Sequence, residues 1–218
     1  DSTKPQAMHL PVTGYSKLDV YLTPLPRRDA VTLWPRADAP LHKRVIFAPH
    51  HSLGAASLNL ATFEWSGPAM LDLVRKHPDI DFVLKPHPNF HYKMKRTNGP
   101  LAHNYRDVMA GWEAAPNANV CESGNYFDLF RTSDVMITDS GSFLAEYLPT
   151  GNPLIRLERQ GSTPLNESGR ALAAAFFSVQ DAQALSDVFG SVIVHGKDTT
   201  RAARDAAITR LLPGQQPS

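Results

Sequence analysis

Within Ser133-Asp-Val-Met-Ile-Thr-Asp-Ser-Gly-Ser-Phe-Leu-Ala-Glu-Tyr147, a short apolar run from Val135 to Thr138 gives way to Asp139-Ser-Gly-Ser142 and then to a second, helix-like stretch. The first part suits a buried strand, and Ser142 to Leu148 suits a helix. A strand, a tight polar turn and a helix make half of a βαβ unit, and the same alternation continues on both sides. Upstream, the sequence predicts strands at Arg44–Pro49, Asp81–Lys85 and Asn119–Cys121. Between them it predicts helices at Pro68–His77, Tyr105–Ala115 and Tyr126–Arg131. In the first of these, Met70, Leu71, Leu73 and Val74 share a face and Pro68 occupies the first turn. Downstream come a fifth strand, Pro153–Leu157, and helices at Asp181–Val194 and Thr199–Leu212. Asp181 serves as an N-cap, and Gly196 sits where a helix stops. Strands alternating with helices predict the α/β class: a Rossmann-like, doubly wound parallel sheet with right-handed crossovers.

The remaining sequence sets the boundaries. Residues 1–40 carry Pro5, Pro11, Pro24, Pro26, Pro35 and Pro40, a density no helix survives. They read as an extended hinge or linker with one short element, Val12 to Tyr21. Residues 41–198 are expected to form one Rossmann-like domain, and 199–218 a closing helix and a frayed tail, Pro213–Ser218. A chain opening on Asp1 reads as a piece of something longer. Of its 218 residues 42% are hydrophobic, which excludes global disorder. With 22 Lys and Arg against 21 Asp and Glu, the formal charge is only +1, so a nucleic-acid partner is not expected. The single cysteine, Cys121, excludes an internal disulfide framework and fits a reducing compartment. Ala171–Phe177, the longest apolar run, is far too short to span a bilayer.

Open parallel sheets bind ligands beyond the carboxyl ends of their strands, and the chemically capable residues of this chain gather there. At Asp139-Ser-Gly-Ser142, backbone N–H groups and serine hydroxyls would cradle a phosphate; helix capping uses the same residues. Glu146, four residues after Ser142, lies on the same helix face and could accept hydroxyls of an attached ribose. In Lys85-Pro-His-Pro88 the prolines fix the direction of His87, which can donate to a phosphate or act as an acid. His50-His51-Ser52 takes the equivalent place after the first strand. No metal is expected, because the histidines lack ligand spacing and no HExxH occurs. No cofactor is expected either: GxGxxG and GxxxxGK[ST] are both absent, as is the Gly-x-Ser-x-Gly elbow. His91, Lys93, Lys95 and Arg96 read as a basic loop.

Three ordered motifs, Phe47-Ala-Pro-His50, Leu84-Lys-Pro-His-Pro88 and the Ser133–Tyr147 stretch, resemble those of the CDP-glycerol glycerophosphotransferase family of teichoic-acid and capsule polymer synthesis. Thr13-Gly-Tyr-Ser-Lys-Leu-Asp19 is similar to that family's hinge motif. The resemblance implies the C-terminal, donor-nucleotide half of a GT-B enzyme. It implies transfer of glycerol phosphate from CDP-glycerol, or of a related alditol from its CDP conjugate, to a lipid-linked or polymeric acceptor. It also implies an N-terminal half completing the active site, a cytoplasmic location at the inner face of the membrane, and an isolated fragment without activity. His87 would be the catalytic histidine. Lys17, His50, His51, Lys85, Thr138, Asp139, Ser140, Gly141, Ser142 and Glu146 would hold the donor. The family more usually has Thr-Asp-Tyr-Ser-Ser with Asp on the helix, and Thr-Trp-Arg where this chain has His-His-Ser. Three alternatives stand beside this reading: a GT-B enzyme using a UDP-sugar, a non-catalytic nucleotide-binding module, and a metal hydrolase.

Overall fold

The computed structural model describes residues 16–26, 31–36, 42–52, 58–96, 98–122 and 126–211. Thr13–Tyr15, the start of the predicted Val12–Tyr21 element and the 213–218 tail lie outside them; Ser16–Leu22 forms a 3-10 helix.

Among the described residues, six parallel strands make one sheet in the order β3-β2-β1-β4-β5-β6: β1 Arg44–Ala48, β2 Asp81–Leu84, β3 Ala118–Val120, β4 Val135–Thr138, β5 Leu154–Leu157 and β6 Phe177–Val179. The chain winds outward from β1 in one direction, then returns to place β4 on the other side of β1. Registers run Val45↔Val135 and Phe47↔Leu84, so the carboxyl ends of β1, β2 and β4 finish level. Alternate strand residues feed opposite cores, the consequence of a two-residue pleat. Phe47, Phe82 and Ile137 join Trp112 and Phe189 on one face, while Ile46, Val83 and Met136 join Trp34, Phe130 and Tyr147 on the other.

The helices are α1 Phe63–Lys76, α2 Pro88–Arg96, α3 Pro100–Glu113, α4 Tyr126–Arg131, α5 Gly141–Tyr147, α6 Glu167–Leu172, α7 Ala182–Phe189 and α8 Arg201–Leu211. Predicted elements recur with shifted ends, and α4 and β4 keep their expected bounds. Three features differ from expectation. The basic segment after Lys85-Pro-His-Pro88 is a helix, α2, with Pro88 as its first residue, a position where the missing N–H costs nothing. Helix α1 begins five residues before Pro68, leaving that proline inside it. The carbonyl of Glu64, which residue 68 would otherwise engage, accepts instead from Asn104 Nδ2 of α3 at 3.0 Å. Finally, α6 and β6 form between β5 and Asp181, where the sequence predicts no element: Glu167–Leu172 is mostly polar, and the apolar run Ala171–Phe177 has a period that favours neither form. Asp181 caps α7 through the N–H of Ala184, and Gly196 adopts φ 67° just past the π-turn that extends it. Among the described residues, no helix is long and apolar enough to cross a membrane.

Candidate functional site

Between β1 and β4 the chain leaves the sheet in opposite directions, opening a crevice at their carboxyl ends. Three loop tips lie side by side there. The parallel ladder continues past the strands: the N–H of Lys85 donates to Phe47 O at 2.7 Å, and that of His87 to Pro49 O at 3.1 Å. The His50 N–H donates to Asp139 Oδ1 at 2.6 Å. The segments after β1, β2 and β4 are thereby locked into one surface.

The imidazoles of His50, His51 and His87 close on one another there. Ring centroids are 4.3 Å apart for His50–His51, 4.0 Å for His51–His87 and 5.6 Å for His50–His87. The N–H of Ser52 donates to His50 Nδ1 at 3.2 Å, and the N–H of Asn89 donates to His87 Nδ1 at 3.1 Å. A backbone N–H can only donate, so in each neutral ring Nδ1 is the acceptor and Nε2 carries the proton. Burial, together with the neighbouring rings of His51 and His87, lowers the pKa of His50 to about 4. Burial, His51 and the Lys85 ammonium lower that of His87. At neutral pH both rings are uncharged Nε2–H donors. His51 Nδ1 is buried and has no hydrogen-bond partner among the described residues.

Thr138 and Asp139 sit beneath this surface. Thr138 Oγ1 donates to Ala48 O at 2.6 Å and accepts from the N–H of Ser140 at 3.0 Å. Asp139 accepts from His50 N–H on Oδ1, and from Thr62 N–H (2.7 Å) and Thr62 Oγ1 (2.9 Å) on Oδ2. Burial raises its pKa to about 6 against the lowering effect of those bonds. Both carboxylate oxygens are thus engaged in bracing the loop after β1. Ser140 Oγ and Ser142 Oγ lie 3.4 Å apart at the start of α5, and a Cβ added at Gly141 would meet nothing within 4 Å.

A second cluster forms around Glu146, which is 1% exposed on α5. Its carboxylate pairs with Lys17 Nζ at 3.1 Å and accepts from Tyr126 Oη at 2.7 Å. Burial, then the bond to Glu146, pushes the Tyr126 pKa up to about 12. Tyr21 Oη donates to the Glu146 carbonyl at 2.6 Å, lashing the hinge segment to α5. Lys85 Nζ stands 5.6 Å from the Tyr126 ring centroid, linking the two clusters. Tyr21, Thr62 and Tyr126 escaped the sequence reading. Of these only Tyr126 left a signal, an aromatic opening a short helix just after a strand-end loop.

On the far side of α5, a cavity of about 420 Å³ lies between α5, α6 and residues 58–60, with Ser140 and Gly141 at its rim. The segment after β5 contributes Glu158 and Arg159 to its lining. His91, expected in a basic loop, faces the α3 side instead. Its Nδ1 lies 2.5 Å from Tyr105 Oη, and its Nε2 lies 3.1 Å from Glu122.

No family model matches the sequence, and no curated protein matches it. Among solved structures, S. aureus MnaA in complex with UDP is similar over 95% of this chain and 56% of its own, at 15% identity and a TM-score of 0.57. The UDP-GlcNAc 2-epimerase from Neisseria meningitidis bound to UDP-GlcNAc is similar over 75% of this chain and 39% of its own, at 19% identity and a TM-score of 0.51. The C-terminal CMP-Kdo binding domain of WaaA from Acinetobacter baumannii is similar over 79% of this chain and 90% of its own, at 13% identity and a TM-score of 0.53. The chain has the fold of a GT-B half. At these identities the likeness is one of fold, and the chain spans 39% of the length of the Neisseria meningitidis epimerase and 56% of that of MnaA. In this GT-B half the two clusters and the cavity all open at the carboxyl end of the sheet.

Proposed function

We propose that this GT-B half is the donor-binding domain of a transferase that moves an alditol phosphate, glycerol phosphate in the first instance, from its CDP conjugate to a polymeric or lipid-linked acceptor. The observation that carries this reading is the pair of imidazoles, His50 and His87, 5.6 Å apart and held as Nε2–H donors, with the His50 loop tied to Asp139, the residue that leads into the Ser140–Ser142 turn. Uncharged donors of fixed direction, with Lys85 behind them, suit a diphosphate whose charge grows during transfer. Lys17 and Glu146 would hold the nucleoside, the carboxylate turning from Lys17 toward the ribose hydroxyls. Thr138 and Asp139 would position the loops beneath, and His51, packed against the His50 and His87 rings, would border the alditol. The acceptor hydroxyl attacks the β-phosphorus, the bond from that phosphorus to the bridging oxygen breaks, and CMP leaves with the electron pair. His87, protonated at Nε2, serves as a donor to the phosphoryl oxygens. The base that takes the acceptor proton would belong to the N-terminal half, which is why the fragment alone is expected to bind without turning over. The acceptor places the whole enzyme at the inner membrane face.

Calorimetric titration with CDP-glycerol tests this reading. A phosphate beside His50 and His87 raises their pKa values, so binding at pH 6 should take up protons, seen as a dependence of the heat on buffer ionisation enthalpy. His87→Ala should weaken binding by more than tenfold and reduce the uptake. Absence of binding by the wild-type chain would overturn the proposal. The second reading, a UDP-sugar enzyme, is favoured by the UDP and UDP-GlcNAc held in two of the similar structures. Tighter binding of UDP than of CDP would select it.

A further inference from the structure

The cavity on the α6 side of α5 has a chemistry unlike that of either polar cluster. Its walls are Leu58, Leu60, Leu144, Leu165 and Leu172, with Pro164 closing one end. Two guanidiniums reach its edge, and both are engaged within the protein. Arg156 pairs with Glu158 at 2.7 Å, while Arg159 pairs with Glu64 and donates to Ala61 O. The remaining polar lining is the hydroxyls of Ser162, Thr163, Ser168 and, next to the phosphate turn, Ser140, with the Asn166 amide and the carboxylates of Glu158 and Asp139. These last three are engaged by Gly169 N–H, by Arg156, and by His50 and Thr62 N–H respectively. At about 420 Å³ it is within the range of small-molecule sites. A glycerol or ribitol chain carries a hydroxyl on almost every carbon and would leave leucine walls against polar groups. A charged group would find its counter-ions already paired.

We infer that this cavity is a second ligand subsite, which takes an uncharged group with an apolar body and a hydroxyl at the Ser140 rim. The site itself needs only the cavity; its use for the group that accepts the phosphoryl rests on the transferase reading above. An apolar body seated between α5 and α6 would bring its hydroxyl to the edge of the Ser140–Ser142 turn, where the phosphates of the donor are proposed to lie.

The probe is 1-naphthol, an apolar bicycle with one hydroxyl, titrated into the chain carrying 13C-labelled leucine methyls. Saturable shifts at Leu60, Leu144, Leu165 and Leu172 are expected. Leu58→Asp changes a half-exposed side chain at the rim and should weaken binding at least tenfold, and Ala145→Trp, which fills part of the cavity, should abolish it. Ribitol, which carries hydroxyls and no apolar body, should shift none of these methyls. The inference is overturned if the naphthol shifts fall elsewhere or are absent, or if both variants, shown folded by their melts, bind as the wild type does. Titration with CDP separates the two proposals: cavity shifts without CDP binding would sink the transferase reading and leave the subsite standing, and CDP binding without cavity shifts would do the reverse.

Discussion

Asp139 holds a full charge in the protein interior, where burial penalises it and three donors compensate. An amide in its place must turn its NH2 toward either the His50 N–H or the Thr62 donors, leaving two buried donors face to face. Asp139→Asn should therefore destabilise the fold by about 2 kcal/mol at pH 7, measured by urea unfolding. The pH dependence carries a second signature. With its folded pKa raised from 3.8 to about 6, Asp139 adds stability that is fully present below 3.8 and lost as pH rises through 6. His50, lowered from 6.5 to about 4, binds fewer protons folded than unfolded between those values, so its contribution rises with pH over nearly the same range. The two slopes oppose each other in the wild type. In Asp139→Asn the histidine slope stands alone, and stability should climb more steeply from pH 4 to 6.5; an unchanged slope would contradict the assignment. Gly141 gives the complementary test. Open space around its Cβ position means that Gly141→Ala should fold as well or better, by up to about 1 kcal/mol, while weakening nucleotide binding several-fold. Higher melting with unchanged affinity would show that nothing docks against that turn.

Helix α1 shows how an element can tolerate a residue that its own sequence argues against. Pro68 cannot bond the Glu64 carbonyl, and Asn104 from α3 does so instead. Asn104→Ala should cost about 1 kcal/mol in the wild type and close to nothing in a Pro68→Ala background, where residue 68 supplies its own N–H. A double-mutant cycle in urea reads the coupling directly, and additive costs would break the explanation. The same helix marks the limit of sequence reading. Its apolar face from Met70 to Val74 was legible from spacing, but its first turn was not, because the partner that makes the proline acceptable sits forty residues away. Helix α2 was hidden for a related reason: Pro86 and Pro88 read equally as a rigid turn or as a turn followed by a first helical residue, and burial of Phe90 and Met94 selects the second.

At the scale of the molecule, α8 closes the fold through one buried cation. Arg204 is 0% exposed; its Nε donates to Gly151 O at 2.9 Å, its Nη1 to Thr200 Oγ1 at 2.9 Å, and its guanidinium pairs with Asp198. Burial alone would raise the Asp198 pKa, but the Arg204 bonds and charge outweigh it and hold the carboxyl below its usual value. Arg204→Ala should cost about 3–5 kcal/mol by leaving these partners unmet, whereas Thr209→Ala on the exposed face of α8 should stay within about 0.5 kcal/mol. Equal denaturation midpoints for the two variants would refute this account.

Local pattern alone settled the alternation of strand and helix, and hence the doubly wound sheet, because apolar period and turn residues are written along the chain. It also placed His50, His87 and Ser140–Ser142 at strand ends, since parallel topology sends every such loop to one edge. Only the tertiary structure decided what those residues do there. The proton on Nε2 of His50 and His87, the bracing role of Asp139, the Lys17–Glu146–Tyr126 cluster and the leucine-walled cavity each depend on groups far apart in sequence. Their meeting is set by packing and burial, which no local period encodes.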